Sequence, residues 1–112
     1  IQSIRFKNMK TVAQLLKHDF SKGSLYLYDS NGNTVYAEKS SGYWYKYDYD
    51  SNGKVIYSEW LDGYWIKRDY DSNGNEIYYE NSDEYWVKRE FDSNGKVIYS
   101  EDSTGPIINN RP

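Results

Sequence analysis

The feature that most constrains this chain is an internal repeat with a period of 21 residues. The tetrapeptide Asp-Ser-Asn-Gly occurs four times, starting at Asp29, Asp50, Asp71 and Asp92. Two further positions keep the same spacing, with tryptophan at Trp44, Trp65 and Trp86 and glycine at Gly42, Gly63 and Gly105, where Glu84 replaces the glycine once. Such periodicity is typical of arrays in which one small unit stacks on the next. The sequence therefore predicts four tandem repeats over residues 24–105.

Each repeat has the pattern of a β-hairpin. In the second repeat, a run of strand-forming residues over 43–49 leads into Asp50-Ser51-Asn52-Gly53, and a second run follows over 54–59. The aspartate opens a type I turn by accepting local backbone hydrogen bonds, and the glycine supplies the left-handed conformation that completes a three-residue loop with a G1 bulge. Two strands in each repeat predict an antiparallel meander of about eight strands.

The turn type also predicts which side chains share a face, because Asp50 then lies opposite Lys54 and pairing continues outward. For the third repeat, one predicted face has Tyr64, Ile66, Arg68, Tyr70, Glu76, Tyr78 and Glu80. The other predicted face has Trp65, Lys67, Asp69, Ile77 and Tyr79. Neither face is purely apolar, whereas a β-sandwich needs one dry face per sheet. We therefore expect a single twisted or superhelical sheet that carries ladders of aromatic side chains.

Both ends of the array depart from the repeat. Apolar residues at helical spacing predict a short helix over about residues 9–20, namely Met9, Val12, Leu15, Leu16 and Phe20. This helix is expected to cap the first hairpin by packing on Leu25, Leu27, Val35 and Ala37. Met9 is a candidate native start, so residues 1–23 are interpreted as a leader plus the capping helix. At the other end, Gly105-Pro106 breaks the pattern, which predicts that strand pairing stops there and that 106–112 form a tail.

Composition narrows the classes of function. The 112 residues include no cysteine and one histidine, and the interleaved acids and bases leave a net charge of −3. Thiolate chemistry is therefore excluded, and no basic stripe indicates binding to nucleic acid. No run approaches the roughly 18 apolar residues of a membrane span, and the N-terminus lacks the layout of a signal peptide. We expect no cofactor, no direct contact with nucleic acid or membrane, and a cytoplasmic location.

Three sets of polar residues suggest chemistry, and each has a simpler structural interpretation. The Asp-x-Asn-Gly turns resemble the start of a calcium loop, but the bidentate glutamate at the twelfth position of that loop is absent. His18 lies near the end of the predicted helix without an identifiable nucleophile, which favours a surface or capping role over a catalytic one. Glu38, Glu59, Glu80 and Glu101 recur in every repeat, whereas a catalytic carboxylate pair is a singular arrangement. They are predicted to be cross-strand partners of Lys and Arg.

The pattern Gly-Tyr-Trp-x-Lys-x-x-Tyr-Asp-Ser-Asn-Gly-x-x-Ile-Tyr resembles the tyrosine-rich hairpin repeats of small proteins from bacteriophages and their bacterial hosts. It is similar, more loosely, to YD and MORN-type repeats and to the aromatic hairpins of choline-binding modules. Many small phage proteins inhibit host enzymes or defence complexes, so the first resemblance implies such a role in the cytoplasm of a bacterial host. Choline-binding modules form a Trp/Tyr cage between hairpins and are exported, and this chain shows no export signal.

The aromatic side chains, with 14 tyrosines and 4 tryptophans, are the features with functional potential. They can hold a thin sheet together by stacking, and exposed Tyr, Trp and Arg are also enriched in binding hot spots. The candidate partner-binding residues are Trp44, Trp60, Trp65, Trp86, Tyr64, Arg68 and Arg89. Trp60 stands out because the other repeats have Lys39, Asn81 or Asp102 at its position.

Three functional hypotheses follow. The first is a non-catalytic repeat module that binds a protein partner through an aromatic sheet face, acting as an inhibitor of a host protein. The alternative is a module for a carbohydrate or choline-type cell-wall ligand. An enzyme is disfavoured because the sequence has no singular polar cluster. Self-association through the edges of the sheet is a further option, since a meander has two edges.

Overall fold

The computed structural model of the protein is a mainly β meander. The structure describes residues 10–112, apart from the side chain of Pro106. In this part of the chain, helix α1 (Val12–Leu15) and a 3-10 helix (Phe20–Lys22) precede nine strands. The strands are β1 (Leu25–Tyr28), β2 (Thr34–Glu38), β3 (Trp44–Tyr49), β4 (Val55–Trp60), β5 (Trp65–Tyr70), β6 (Glu76–Asn81), β7 (Trp86–Phe91), β8 (Val97–Asp102) and β9 (Gly105–Asn109). They form one antiparallel sheet in the order of the chain, which confirms the predicted hairpin meander.

The repeated tetrapeptide forms the predicted turn. At Asp71, the backbone amide donates to the carbonyl of Asn75 at 2.9 Å, and the amide of Gly74 donates to the carbonyl of Asp71 at 3.0 Å. The Asp71 carboxylate accepts the amides of Asn73 and Asn75, both at 2.9 Å. Gly74 has a φ of +84°, as the G1 bulge requires. The same bonds recur at Asp29, Asp50 and Asp92.

A β-bulge one step beyond the turn changes the predicted faces. In the third repeat Tyr70 lies opposite Glu76 as expected, but Asp69 lies opposite Tyr78, so Ile77 is an extra residue on β6. Because side chains alternate with a period of two, one extra residue moves every later side chain to the other face. The predicted faces of Tyr78, Tyr79 and Glu80 are therefore wrong.

The first hairpin shows the same shift. Its register is irregular between Leu27 and Tyr28, and Leu25 lies opposite Glu38 while Tyr26 lies opposite Ala37. Leu25 and Leu27 therefore do not share a face with Ala37, which corrects the predicted apolar face of this hairpin. A bulge on the second strand accounts for this as well.

The N-terminal helix is shorter than the predicted span of residues 9–20. It begins with a capping box, in which the Thr11 hydroxyl accepts the Gln14 amide at 3.1 Å and the Gln14 side chain accepts the Thr11 amide at 2.9 Å. It ends early because Lys17 has a φ of +54° and the His18 amide donates to the Ala13 carbonyl at 2.9 Å. Met9, also expected in the helix, lies outside the described residues.

The chain divides into two compact units, Ile1–Lys46 and Tyr47–Pro112, called here the N-terminal and C-terminal units. In the N-terminal unit the buried apolar side chains are Ala13, Leu25 and Ala37, and Glu38, which lies opposite Leu25, is buried as well. Leu15 and Leu16 are 65% and 57% exposed, so the prediction that they pack on the first hairpin is wrong. The contact is made at Ala13, which is buried and whose amide donates to the Glu38 carboxylate at 3.1 Å.

The C-terminal unit has little apolar interior. Val87, which is 4% exposed, is its buried apolar side chain, and the other buried positions are polar, namely Ser58, Asn81, Ser100 and Asp102. No large side chain is fully buried anywhere in residues 10–112. This unit is therefore a single layer in which both faces keep partly exposed aromatic side chains.

The sheet extends one strand further than the sequence predicts. Residues 105–109 form β9, in which Ile108 lies opposite Ser100 and Asn109 lies opposite Tyr99. The prediction that pairing stops at Pro106 is wrong because β9 is an edge strand, where a residue without an amide hydrogen is tolerated. Over residues 10–112, nine strands replace the expected eight.

Candidate functional site

Strand alternation in the C-terminal unit gathers the repeated aromatic and charged side chains on one face. Cross-strand pairing places Trp65 opposite Glu59, Lys67 opposite both Tyr57 and Glu80, and Tyr78 opposite both Asp69 and Lys88. Pairing of β7 with β8 adds Trp86, Glu90, Tyr99 and Glu101 to this face. We call this surface the tryptophan face. It repeats the same set of a tyrosine, a glutamate, a tryptophan and a lysine from one hairpin to the next.

Within each set the side chains contact one another in the same way. The Tyr57 hydroxyl donates to Glu59 at 2.9 Å, and its ring stacks beside Trp65 with 6.5 Å between centroids. The Lys67 ammonium lies 5.0 Å from the centroid of the Trp65 ring, which is a cation–π distance. Partial burial and the hydrogen bond to Glu59 raise the pKa of Tyr57, so its hydroxyl stays a proton donor. The indole of Trp65 is therefore already contacted by a lysine of its own chain.

The other repeats reproduce this arrangement. Tyr78 donates to Glu80 at 3.1 Å, and the Lys88 ammonium lies 5.3 Å from the Trp86 ring. In the N-terminal unit, Tyr36 donates to Glu38 at 2.8 Å and stacks on Trp44 at 6.1 Å. The prediction that the repeated glutamates pair with Lys or Arg is incomplete. Each of these carboxylates accepts a hydrogen bond from the hydroxyl of the tyrosine that stands two residues earlier in the chain.

A shallow groove with a volume of about 510 Å³ crosses the tryptophan face between Asp69 and the C-terminal end of the chain. Its lining residues include Tyr78, Tyr99, Glu90 and Arg111. The Arg111 guanidinium is 3.6 Å from the centroid of the Tyr99 ring. Its Nε donates to Glu90 at 3.1 Å, and its Nη2 pairs with the second oxygen of the same carboxylate. Arginine is thus held by stacking and by a bidentate ion pair.

The opposite face of the C-terminal unit has a different set of side chains. Trp60 lies at the start of the turn after β4, with its ring 5.8 Å from that of Tyr64. Arg68 and Arg89 both contact the carboxylate of Glu76, at 3.4 and 3.6 Å. The Arg68 guanidinium also lies 5.4 Å from the ring centroid of Tyr79. These contacts join side chains of β5, β6 and β7 next to the bulge in β6.

The structure therefore divides the predicted partner-binding residues between two surfaces. Trp65 and Trp86 are on the tryptophan face, and Trp44 has the equivalent position in the N-terminal unit. The residues on the opposite face are Trp60, Tyr64, Arg68 and Arg89. Sequence reasoning missed the groove residues Tyr78, Tyr99 and Arg111. The available signal was the recurring Tyr-x-Glu spacing, since residues two apart on a strand share a face.

The turn aspartates and the histidine have local structural partners. The amides of Asn75 and Asn73 and the Asn75 side chain lower the pKa of Asp71, with the Asn75 amide contributing most. Nε2 of His18 donates to the carbonyl of Gly23 at 2.8 Å, and its ring meets Phe20 edge-on at 4.7 Å. Over residues 10–112, no group of three or more His, Cys, Asp or Glu side chains is placed to hold a metal ion.

Within the described part of the chain, no helix has the length and apolar character needed to cross a bilayer. The helices there span residues 12–15 and 20–22. Comparison with known proteins adds no assignment, since no protein-family model matches the chain and no curated protein matches it significantly.

Proposed function

We propose that this protein is a non-catalytic repeat module that binds a protein partner through the tryptophan face. The observation that carries the proposal is the partial exposure of the aromatic rows, since no large side chain is fully buried in residues 10–112. Tyrosine–glutamate hydrogen bonds and ring stacking restrain these side chains, so less conformational entropy is lost on binding. Tyrosine, tryptophan and arginine are the residue types that contribute most to protein interfaces.

The contacts of the indole rings favour a protein partner over a sugar or a choline group. A quaternary ammonium ligand needs an open aromatic ring face. The rings of Trp65 and Trp86 already have Lys67 and Lys88 at cation–π distances of 5.0 and 5.3 Å. A cationic or saccharide ligand competes with these lysines for the ring faces that they cover, whereas a protein surface can pair with the lysines and the rings together.

The proposed setting is the cytoplasm of a bacterial host, where the module acts as a phage-encoded inhibitor of a host enzyme or defence complex. The likeness of the repeat to phage and bacterial hairpin proteins supports this. A role without catalysis is supported by the tyrosine–glutamate pairs, because the carboxylates that a paired-acid mechanism needs are engaged identically at Glu59, Glu80 and Glu101.

Two matched variants test the proposal. Trp65→Ala with Trp86→Ala removes two rings from the tryptophan face, and Trp60→Ala with Tyr64→Ala removes two rings from the opposite face. Both are compared with the unmodified protein by capture from bacterial lysate and then by titration of the purified partner, after circular dichroism has shown that each variant is folded. We expect the first pair to weaken binding at least about tenfold, as hot-spot residues do, and the second to change it little.

Other outcomes have defined meanings. Loss of binding in the Trp60/Tyr64 variant alone would move the interface to the opposite face. If neither variant changes capture, the aromatic rows are structural and the proposal is wrong. If no protein is captured but immobilised glycan or choline retains the protein, the cell-wall alternative replaces it.

A further inference from the structure

We infer that Asp69 and Tyr78 form a binding site for an arginine side chain of the protein partner. The inference deepens the proposed function and rests on it. Its starting point is Arg111, which shows how this sheet holds a guanidinium. The Arg111 group lies on the Tyr99 ring and forms a bidentate pair with Glu90.

The repeat places an equivalent pair one hairpin earlier in the same groove. Glu90 and Tyr99 are cross-strand partners on β7 and β8, and Asp69 and Tyr78 are cross-strand partners on β5 and β6. Each residue of the second pair precedes its counterpart by 21 positions. Both pairs line the groove on the tryptophan face. Both sites therefore have a carboxylate next to a tyrosine ring, with Asp69 in one site where the other has Glu90.

The neighbouring lysine does not take the place of an arginine at this site. Lys88 lies opposite Tyr78, but its ammonium is directed to the Trp86 ring, 5.3 Å away. Opposite Tyr99 the chain has Asn109, and the cation there comes from Arg111. Asp69 is exposed, its Oδ1 accepts the amide of Tyr70 at 3.0 Å, and within the described residues it has no ion pair.

The chemistry of the site selects a guanidinium. Its planar fork pairs with a carboxylate while its face stacks on a tyrosine ring, whereas a lysine ammonium is a point charge that does only the first. The net charge of −3 makes a basic partner surface complementary to this protein. Equivalent sites are two strands apart, which corresponds to about 10 Å. We therefore expect the partner to present an arginine about 10 Å from the place that Arg111 occupies.

Titration of the full-length protein with a short peptide tests the site. The probe is a capped pentapeptide with one arginine flanked by serine and glycine, and the control peptide has citrulline, which keeps the shape and loses the charge. NMR signals of Asp69 and Tyr78 report binding. We expect the arginine peptide to shift these signals, with at least fivefold weaker binding for Asp69→Asn. Asp83→Asn, which removes a charge from an exposed turn, should bind as the unmodified protein does.

The inference is overturned if the citrulline peptide binds equally well or if Asp69→Asn has no effect. A second variant gives an independent check. Arg111→Ala should open the Glu90/Tyr99 site, so that the arginine peptide also shifts the NMR signals of Tyr99. The stoichiometry should then rise from one to two peptides per protein. Arg111→Lys should keep Tyr99 covered. An unchanged stoichiometry in Arg111→Ala counts against the repeat equivalence on which the inference depends.

The captured partner separates the two proposals. If Asp69→Asn retains it as well as the unmodified protein does, while Trp65→Ala with Trp86→Ala loses it, then the arginine site is wrong and the binding function stands. If the partner is lost in both variants and the peptide results hold, both proposals are supported.

Discussion

Glu84 shows how a single residue can conflict with the backbone that the repeat requires. It has a φ of +69°, and the equivalent glycines Gly42 and Gly63 have φ values of +92° and +91°. A side chain in this left-handed region costs about 1 kcal/mol because its Cβ crowds the backbone. We expect Glu84→Gly to raise the free energy of unfolding by about that amount, measured by urea denaturation. Gly63→Ala should lower it, and a destabilised Glu84→Gly protein would contradict the argument.

Asp71 makes the turn sensitive to acid. In the folded protein the hydrogen bond from the Asn75 amide makes the largest contribution to lowering the pKa of the Asp71 carboxyl. A carboxyl whose folded pKa is lowered stabilises the protein above its unfolded pKa of about 3.9, and this stability is lost as the pH falls through the folded value. We therefore expect the urea midpoint of unfolding to decrease as the pH drops below about 4. In Asp71→Asn this decrease should be smaller.

Asp83→Asn is the matched control for this titration, because Asp83 is exposed in the turn that joins β6 and β7. It removes the same charge without touching the amides at Asp71. Urea midpoints measured from pH 2 to pH 7 separate the two variants. Equal pH dependence in Asp71→Asn and the unmodified protein would show that this turn carboxylate does not contribute to acid unfolding.

At the scale of elements, the sequence predicts those features that depend on local chemistry. The Asp-Ser-Asn-Gly turns form as expected because the aspartate and glycine meet every requirement of the turn within five residues. The predicted faces of the sheet are wrong because the bulge at Ile77 depends on how β5 and β6 fit together and not on the sequence of the turn. The same limit applies to the candidate site, since Trp65 and Trp86 were identified as individual residues but their groove neighbours Tyr78 and Tyr99 required the shifted register.

The end of α1 was also beyond prediction from the sequence. The glycine at Gly23 indicates a stop, but the left-handed residue that ends the helix is Lys17. Glu38 holds the start of the helix, since its carboxylate accepts the amide of Ala13 at 3.1 Å. The short helix is thus held by a contact with β2 rather than by its own length, as is usual for helices of a few residues.

Glu38 tests how α1 is held on the first hairpin. Its Oε1 accepts both the Ala13 amide and the Tyr36 hydroxyl, and the residue is 2% exposed. We expect Glu38→Ala to lower the free energy of unfolding by about 1–3 kcal/mol, because a buried amide and a partly buried hydroxyl lose their acceptor. Denaturation and hydrogen exchange at the Ala13 amide measure the effect.

The repeat supplies the control for this variant. Glu59 accepts the hydroxyl of Tyr57 in the same way but is only half-buried. Glu59→Ala should therefore cost less than Glu38→Ala. Equal losses of unfolding free energy in the two variants, with unchanged hydrogen exchange at the Ala13 amide, would mean that the contact between Glu38 and α1 does not contribute to stability.

At the scale of the whole molecule, the repeat means that a complete period can be removed without changing which neighbours each strand meets. In the C-terminal unit, deleting the 21 residues 68–88 joins Lys67 to Arg89. The joined strand keeps the pairing of Ile66 with Ser58 and of Arg89 with Ser100. Since contacts in such arrays are between neighbours, we expect this protein to fold cooperatively with a smaller urea m-value in proportion to the surface lost.

Deleting the 20 residues 68–87 is the matched control, because it joins Lys67 to Lys88 and places one extra residue in the middle of the strand. Either every later side chain changes face or a new bulge must form. We expect its thermal midpoint to be at least about 10 °C below that of the 21-residue deletion, since 1 kcal/mol corresponds to roughly 4–8 °C in a small domain. Equal midpoints would show that the alternation of faces, and with it the tryptophan face, is not what fixes the register of this sheet.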